Sequence, residues 1–280
     1  MNINNAPEIF LWFLIYSFAG WAWETIITSI PQRRFVNRGF LNGPYCPIYG
    51  VGALLLIFIT NPIEDSFLRF LVGGTMACAL EYATSLVLEK IFHARWWDYT
   101  IRYFNLNGRI CLEGFILFGL FGVTMPYVHK YTSGLTGQLP ASVLNSVFSI
   151  TLILFLADII ITNHALNKFN KILREYQKIF DKHRLGILEF IRRGKRVFEM
   201  RIGKTERIRN VLSFQQRRIL DAFPRFRSTL YKDAFERIKS LSSENDDSDN
   251  SATQKPPKSR SARKKARKKA NAAARSKRRK

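Results

Sequence analysis

Only three cysteines occur in the 280 residues, Cys46, Cys78 and Cys111, and no two of them form a C-x-x-C pair. The odd count and wide spacing exclude a disulfide framework and a cysteine-based zinc set, and they fit a reducing compartment. The first 30 residues contain no lysine or arginine. With no small-residue cleavage pattern either, that stretch reads as a retained membrane span rather than a removed signal peptide. A phosphate-binding loop is also missing. Gly203, Lys204 and Thr205 supply its end, but the position that needs the first glycine is Phe198, and no buried strand precedes it. ATP binding by this chain is therefore not expected, and neither is a cofactor or a metal. Cys46, Cys111, His93 and Asp98 are expected on one membrane face, yet no spacing fixes them as a nucleophile and its base, so the chain is not read as an enzyme.

What is present falls into two unlike halves. A mean hydropathy of −0.09 averages an apolar stretch reaching His164 and a basic stretch after it. Of the 44 Lys/Arg and 21 Asp/Glu, nine of each lie in residues 1–164, so the whole formal net charge of +23 belongs to residues 165–280.

Hydrocarbon about 30 Å thick needs about 20 mostly apolar helical residues. Five stretches compete for that role: 9–30, 48–61, 67–89, 114–128 and 142–162. The first, third and fifth are long enough. The second and fourth have apolar cores of about 14 residues, so they are either short spans or re-entrant or buried helices, and the charge pattern requires them to cross or fail as a pair. Loops 31–47 and 90–111 are rich in arginine, whereas 61–66 carries Glu64 and Asp65, and 129–141 has only Lys130. Cytoplasmic loops carry the excess of Lys/Arg. The expected fold is an all-α polytopic membrane bundle of about five transmembrane helices (1–164), with its N-terminus outside. A helical cytoplasmic region (165–240) and a disordered linker and polybasic tail (241–280) follow, with the C-terminus cytoplasmic.

Ionisable groups inside spans are costly, and they face the bundle interior or a polar cavity. Glu24 and Asp158 lie near the cytoplasmic ends of their spans. Glu81 is deeper, and Glu81, Ser85 and Glu89 recur at four-residue spacing, which stacks them on one helix face. These five residues are candidates either for a polar pathway open to a cation, a proton or a polar solute, or for structural ion pairs with Arg33, Arg34, Arg38, Arg95 or Arg109.

Two polar, glycine- and aromatic-rich stretches, FVNRGFLNGPYCPIYG at 35–50 and HARWWDYTIRYFNLNGRIC at 93–111, interrupt the apolar sequence. Their glycines permit close approach or positive φ, and Pro44 and Pro47 fix turns. Their aromatics suit the headgroup level. Arg34, Asn37, Gly39, Gly43, Pro44, Tyr49, Gly50, Trp97, Asp98, Tyr99, Asn105, Gly108 and Arg109 are the candidate residues of this shared face.

Taken in order, GWxxE at 20–24, RRFVNRGFLNGPYCPIYG at 33–50, LEYxTSxxLEKxFxxRWWDY at 80–99 and FNLNGRICLEG at 104–114 resemble a bacterial family of CmpB-like, type IV ABC-transporter permeases. The resemblance covers about residues 8–130, reaching towards 162. It implies a multi-spanning protein of a bacterial inner membrane, the membrane component of an ATP-driven transporter with ATP handled by a separate ATPase subunit, and it brings no substrate or catalytic residue. Five spans are few for a pore, so a homo-oligomer or a second membrane subunit is expected.

In residues 165–240, apolar positions such as Phe169, Ile172, Tyr176, Ile179 and Phe180 alternate with basic ones at helical spacing. Amphipathic helices on an anionic leaflet or a partner helix, and a helical hairpin packed on itself, both fit. Residues 241–254 read as a linker. The final stretch, 255–280, holds 14 Lys/Arg without acid or aromatic, and is expected to bind anionic lipid or nucleic acid without sequence preference. Two functional readings remain open: a transporter permease, and a nontransporting membrane scaffold or sensor whose tail recruits lipid, nucleic acid or a partner protein.

Overall fold

A computed structural model describes residues 5–192, 214–223 and 225–236. The linker at 241–254, the polybasic run at 255–280, Gly203–Thr205 and the side chains of residues 179 and 180 lie outside the described residues. Helix α1 spans Ala6–Gln32, α2 Pro47–Thr60, α3 Ser66–Phe92, α4 Leu112–Thr136, α5 Ala141–Arg192 and α6 Phe214–Ala222. Strands β1 (Ala94–Arg95) and β2 (Arg227–Ser228) form a two-residue antiparallel ladder with Ala94 opposite Ser228.

Among the described residues four helices, α1, α3, α4 and α5, are long and apolar enough to cross a membrane. Their limits follow local chemistry. Asp65 caps α3 by accepting from Leu68 N (2.6 Å), and both Arg33 after α1 (φ 49°) and His93 after α3 (φ 51°) take the left-handed conformation that ends a helix. The fourth span departs from expectation. Its apolar core is short, yet the helix runs for 25 residues, because the more polar turns from Tyr127 to Thr136 continue it past Pro126.

The second span stays short, at 14 residues or about 21 Å, and the preceding loop explains why. After Gln32 the chain turns back and retraces α1. Val36 N donates to Ser29 Oγ, Arg38 N to Thr25 Oγ1, Trp21 Nε1 to Asn37 Oδ1, and Cys46 N to the Ser17 carbonyl. Ser17 lies about 22 Å up the helix from Gln32, so α2 starts partway along the bundle and reaches its far end with half the usual length. Spans two and four thus differ in length, 14 residues against 25, although both run from the loop end towards the opposite end. Gly50 makes this fit possible, since a Cβ there would lie 2.5 Å from the Phe13 carbonyl of α1.

Glu8, Asn61, Arg69 and Lys130 line one cleft. The start of α1, the end of α2, the start of α3 and the end of α4 thus share one end of the bundle, the Glu8 end. Loops 33–46 and 93–111 occupy the other, the loop end. Trp12, Tyr16, Ala53 and Ile57 form a buried core between α1 and α2, joined by Met125 of α4. Helices α3 and α4 touch at backbone level, where a Cβ on Gly73 would fall 2.6 Å from Gly122 Cα. Outward faces are apolar. Only 11% of the span window in α5 is buried, with Ile150, Ile153, Leu154, Ile160 and Ile161 exposed, as a lipid-facing helix requires.

Helix α5 runs without a break through residue 164. Residues 214–223 and 225–236 return to the loop end, where Ile219, Ala222, Phe226, Ala234 and Phe235 are buried, as are Leu166, Phe169, Ile172 and Leu173 of α5. Where it is described, the basic region thus packs back on the chain's own apolar faces.

Candidate functional site at the loop end

Each candidate carboxylate takes a different environment. Asp158 of α5 is saturated. Its Oδ1 accepts from Asn42 N (3.0 Å), Asn42 Nδ2 (2.8 Å) and Thr162 Oγ1 (3.2 Å), and its Oδ2 from Gly43 N (2.8 Å) and Tyr45 OH (2.6 Å). Between these contacts Tyr45 N bonds back to Gly43 O across Pro44 (2.9 Å), a three-residue turn suited to proline's fixed φ. Burial, then the bond to Asp158, pushes the Tyr45 phenol well above its ordinary range, so it remains a donor. The family-like sequence NGPY is thereby a loop built to grip one aspartate on another helix.

Glu24 accepts from Tyr49 OH (2.5 Å) and Arg38 Nε (3.3 Å). Glu89 accepts from Arg95 Nε (3.1 Å) and Arg109 Nη2 (2.6 Å), while Arg109 Nη1 donates to Ser85 Oγ (2.8 Å). Arg109 is buried, its guanidinium lies over the Tyr82 ring at 5.6 Å, and its carbonyl accepts from Trp97 Nε1 (3.0 Å). An arginine from the second loop therefore holds two of the three residues of the α3 polar stripe, Ser85 and Glu89. Arg34 pairs instead with Asp221 of α6 at 3.8 Å, where both are half exposed.

Glu81 is different. It is only 8% exposed, its Oε1 accepts from Tyr99 OH (3.1 Å), and its buried Oε2 has no hydrogen-bond partner among the described residues. No basic side chain pairs with it there. It faces Gly114, whose missing Cβ would lie 3.9 Å from both Glu81 Oε2 and Cys111 Sγ. Burial, then the Glu81 charge, drives the Tyr99 phenol far above its usual value, which keeps its proton on the oxygen that meets Glu81.

The second loop is shaped by its own bonds. Tyr99 N donates to Gly108 O (2.8 Å), Leu106 N to Ile110 O (3.0 Å), Asn105 Nδ2 to the Arg102 carbonyl (2.8 Å) and Gly108 N to Asn105 Oδ1 (3.1 Å). Gly108 has φ +67°, a conformation that costs other residues strain. Asp98 accepts from Thr100 N (3.1 Å) and pairs with Arg227 of β2 (2.9 Å). Ile101, Tyr103 and Phe104 stand exposed at the loop tip. Of the cysteine and histidine set, His93 ends α3, Asp98 pairs with Arg227, and burial pushes the Cys46 thiol up to about 12, where it is a poor nucleophile.

The two loops meet through aromatic rings. Phe40 of the first packs on Trp96 of the second at 4.8 Å, and Phe223 and Phe226 close on the same indole at 5.1 and 5.0 Å. The C-terminal segment adds polar ties that the sequence reading missed. Arg218 donates to the Gly39 carbonyl (2.7 Å), which shares the residue whose N–H meets Asn37 Oδ1, and to the Phe40 carbonyl (3.3 Å). Arg38 donates to the Ala222 carbonyl, and Thr229 N to the His93 carbonyl. Regular basic spacing signals an amphipathic helix, but it does not say which surface the helix covers.

Comparisons with curated proteins and with solved structures return no match. The family model spans every candidate residue described above, from Glu24 to Asp158, and stops before α6 and β2. By that match over residues 11–163, the chain belongs to the family described as putative ABC-transporter type IV.

Proposed function

We propose that the protein is the membrane, or permease, component of an ABC-type transporter in a bacterial inner membrane, and not itself an enzyme. Its loop end and C-terminus face the cytoplasm, and a separate subunit hydrolyses ATP. Family membership supports the transport class, and the arginines of both loops support the orientation. The carrying observation is Glu81. Glu24 and Glu89 each have arginine partners and Asp158 has five donated hydrogen bonds, but Glu81 has one phenol and an idle oxygen. A carboxylate in a span carries an insertion cost of about 2.5–3.5 kcal/mol, and here no fixed cation offsets it. Its missing partner is a travelling one: a cation, a proton or a polar solute that passes between α3, α4 and the second loop. A second copy or another membrane subunit would complete the pathway wall.

The test is biochemical. Full-length chain purified from its native membrane should retain a nucleotide-hydrolysing subunit. In proteoliposomes, Glu81→Gln should cut the ATPase activity of that complex at least tenfold while leaving membrane accumulation unchanged. A chain that purifies free of any ATPase, or a Glu81→Gln complex with normal turnover, overturns the reading. One observation favours the scaffold or sensor alternative: segment 214–236, outside the family match, is tied to both loops. An isolated protein whose Glu81 is dispensable and whose C-terminal segment is essential would select that alternative.

A further inference from the structure

The Glu8 end carries a second site that no motif indicated. A cleft of about 510 Å³ opens between the ends of α1, α2, α3 and α4, with Glu8, Trp12, Arg69, His129 and Lys130 in its wall. Its volume is in the range of small-molecule pockets.

The cleft is amphoteric and its charges are uncommitted. Arg69 gives its Nε to the Ile63 carbonyl and an Nη to Tyr127 OH (3.3 Å), over whose ring it lies. Among the described residues, Glu8 is held by two long contacts of 3.4 Å, from Asn5 Nδ2 and Thr136 Oγ1. Neither forms an ion pair among the described residues. His129 is the decisive group. It is 6% exposed, its Nδ1 meets Tyr16 OH at 3.1 Å, and its buried Nε2 has no partner among the described residues. Nε2 is unpartnered in either tautomer, and in the one where Tyr16 donates to Nδ1 it carries an unused N–H donor. Trp12 fixes the ring, meeting it edge-on at 4.4 Å and anchoring its own indole N–H on Thr136 Oγ1 (2.9 Å). Buried polar atoms are almost always satisfied, and this unmet one belongs to a residue that lines the cleft.

We propose that this cleft binds a small amphoteric group, an oxyanion and an ammonium on a short linker. The oxyanion meets Arg69, Lys130 and His129 Nε2, and the ammonium meets Glu8. A bare anion would face Glu8, and a bare amine would face two cations, so only the paired charges complement the wall. That chemistry has two sources, a free amino-acid-class solute and the phosphoethanolamine headgroup of a lipid. The site stands whether or not the protein transports.

The experiment is a thermal-unfolding series on the delipidated full-length chain in a maltoside detergent. The probes are glycine, glycerophosphoethanolamine, sodium acetate and ethylammonium chloride. At ten times its Kd an amphoteric probe should raise the midpoint by about 3 °C, and the single-charge probes should not. Stabilisation by glycine identifies a free solute, whereas stabilisation by glycerophosphoethanolamine alone identifies the headgroup. Glu8→Gln and Arg69→Ala should each remove the rise, with Lys130→Ala as the milder variant if either fails to fold. No stabilisation by either amphoteric probe, an equal rise with acetate, or a rise that survives all folded variants overturns the assignment.

Discussion

Replacing Asp158 by alanine should release the first loop, and the size of the effect follows from its contacts. The carboxylate accepts two backbone N–H groups, an amide, a phenol and a threonine hydroxyl, while only 8% exposed. Truncating one side of such a buried, charge-centred network costs about 3–5 kcal/mol, mostly through the donors left behind. Asparagine keeps the oxygen that meets Asn42 but turns an N–H towards Gly43 N, so its cost is about 2 kcal/mol. Cys46, next to Tyr45 and bonded to Ser17 O, reports the opening. With its thiol pushed up to about 12, only about one molecule in 10⁴ is thiolate at pH 8. The folded protein therefore labels with maleimide only through opening. At 1.4 kcal/mol per tenfold, a loss of about 4 kcal/mol raises the labelling rate about 10³-fold. The assay uses membranes containing a chain with Cys78 and Cys111 replaced by alanine. Asp158→Ala labelling no faster than its parent, or Asp158→Asn labelling as fast as Asp158→Ala, would refute the anchoring argument.

Arg109 and Glu89 should couple by about 1–3 kcal/mol in a double-mutant cycle of Arg109→Ala and Glu89→Gln, read from unfolding in SDS; additive effects would show that the 2.6 Å pair carries no energy. A Cβ on Gly122 would lie 2.6 Å from the Arg69 carbonyl, so Gly122→Val should destabilise the bundle by about 1–3 kcal/mol. Gly134→Ala, with nothing within 4 Å, should not, and equal midpoints for the two variants would contradict this packing. Phe226→Ala removes a buried ring from the cluster around Trp96 and should cost about 3–5 kcal/mol, seen as faster amide exchange at Ala94 and Ser228; unchanged exchange there would mean the segment does not hold β1.

The sequence carried the apolar spans, and with them the class of fold, because period and length report directly on lipid. It also carried the stripe of Glu81, Ser85 and Glu89, since four-residue spacing on a helix fixes a shared face. Partners across the fold were less legible. Asp158 looks like a group that reaches interfacial water, yet its donors lie 116 and 115 residues away in Asn42 and Gly43, and nothing local marks them. The retracing of α1 by 33–46 depends on isolated hydroxyls, Thr25 and Ser29, whose spacing resembles any helical face. His129 sits in an apolar stretch with one nearby lysine, and its pairing with Tyr16 spans 113 residues. Such contacts are set by packing angles between helices, which hydropathy does not encode.

Helix α5 has the proportions of a lever. Its 52 residues make a rod about 78 Å long, clamped at Asp158 by the first loop. About 26 Å lies on the Glu8 side of that fulcrum and about 51 Å beyond it. A rotation of about 5° around the clamp swings the short arm by about 2 Å and the long arm by about 4 Å in the opposite direction. A force applied to the far end of α5 is delivered at its Ala141 end with a mechanical advantage near two, and the Asn42–Tyr45 grip bears the load as the pivot.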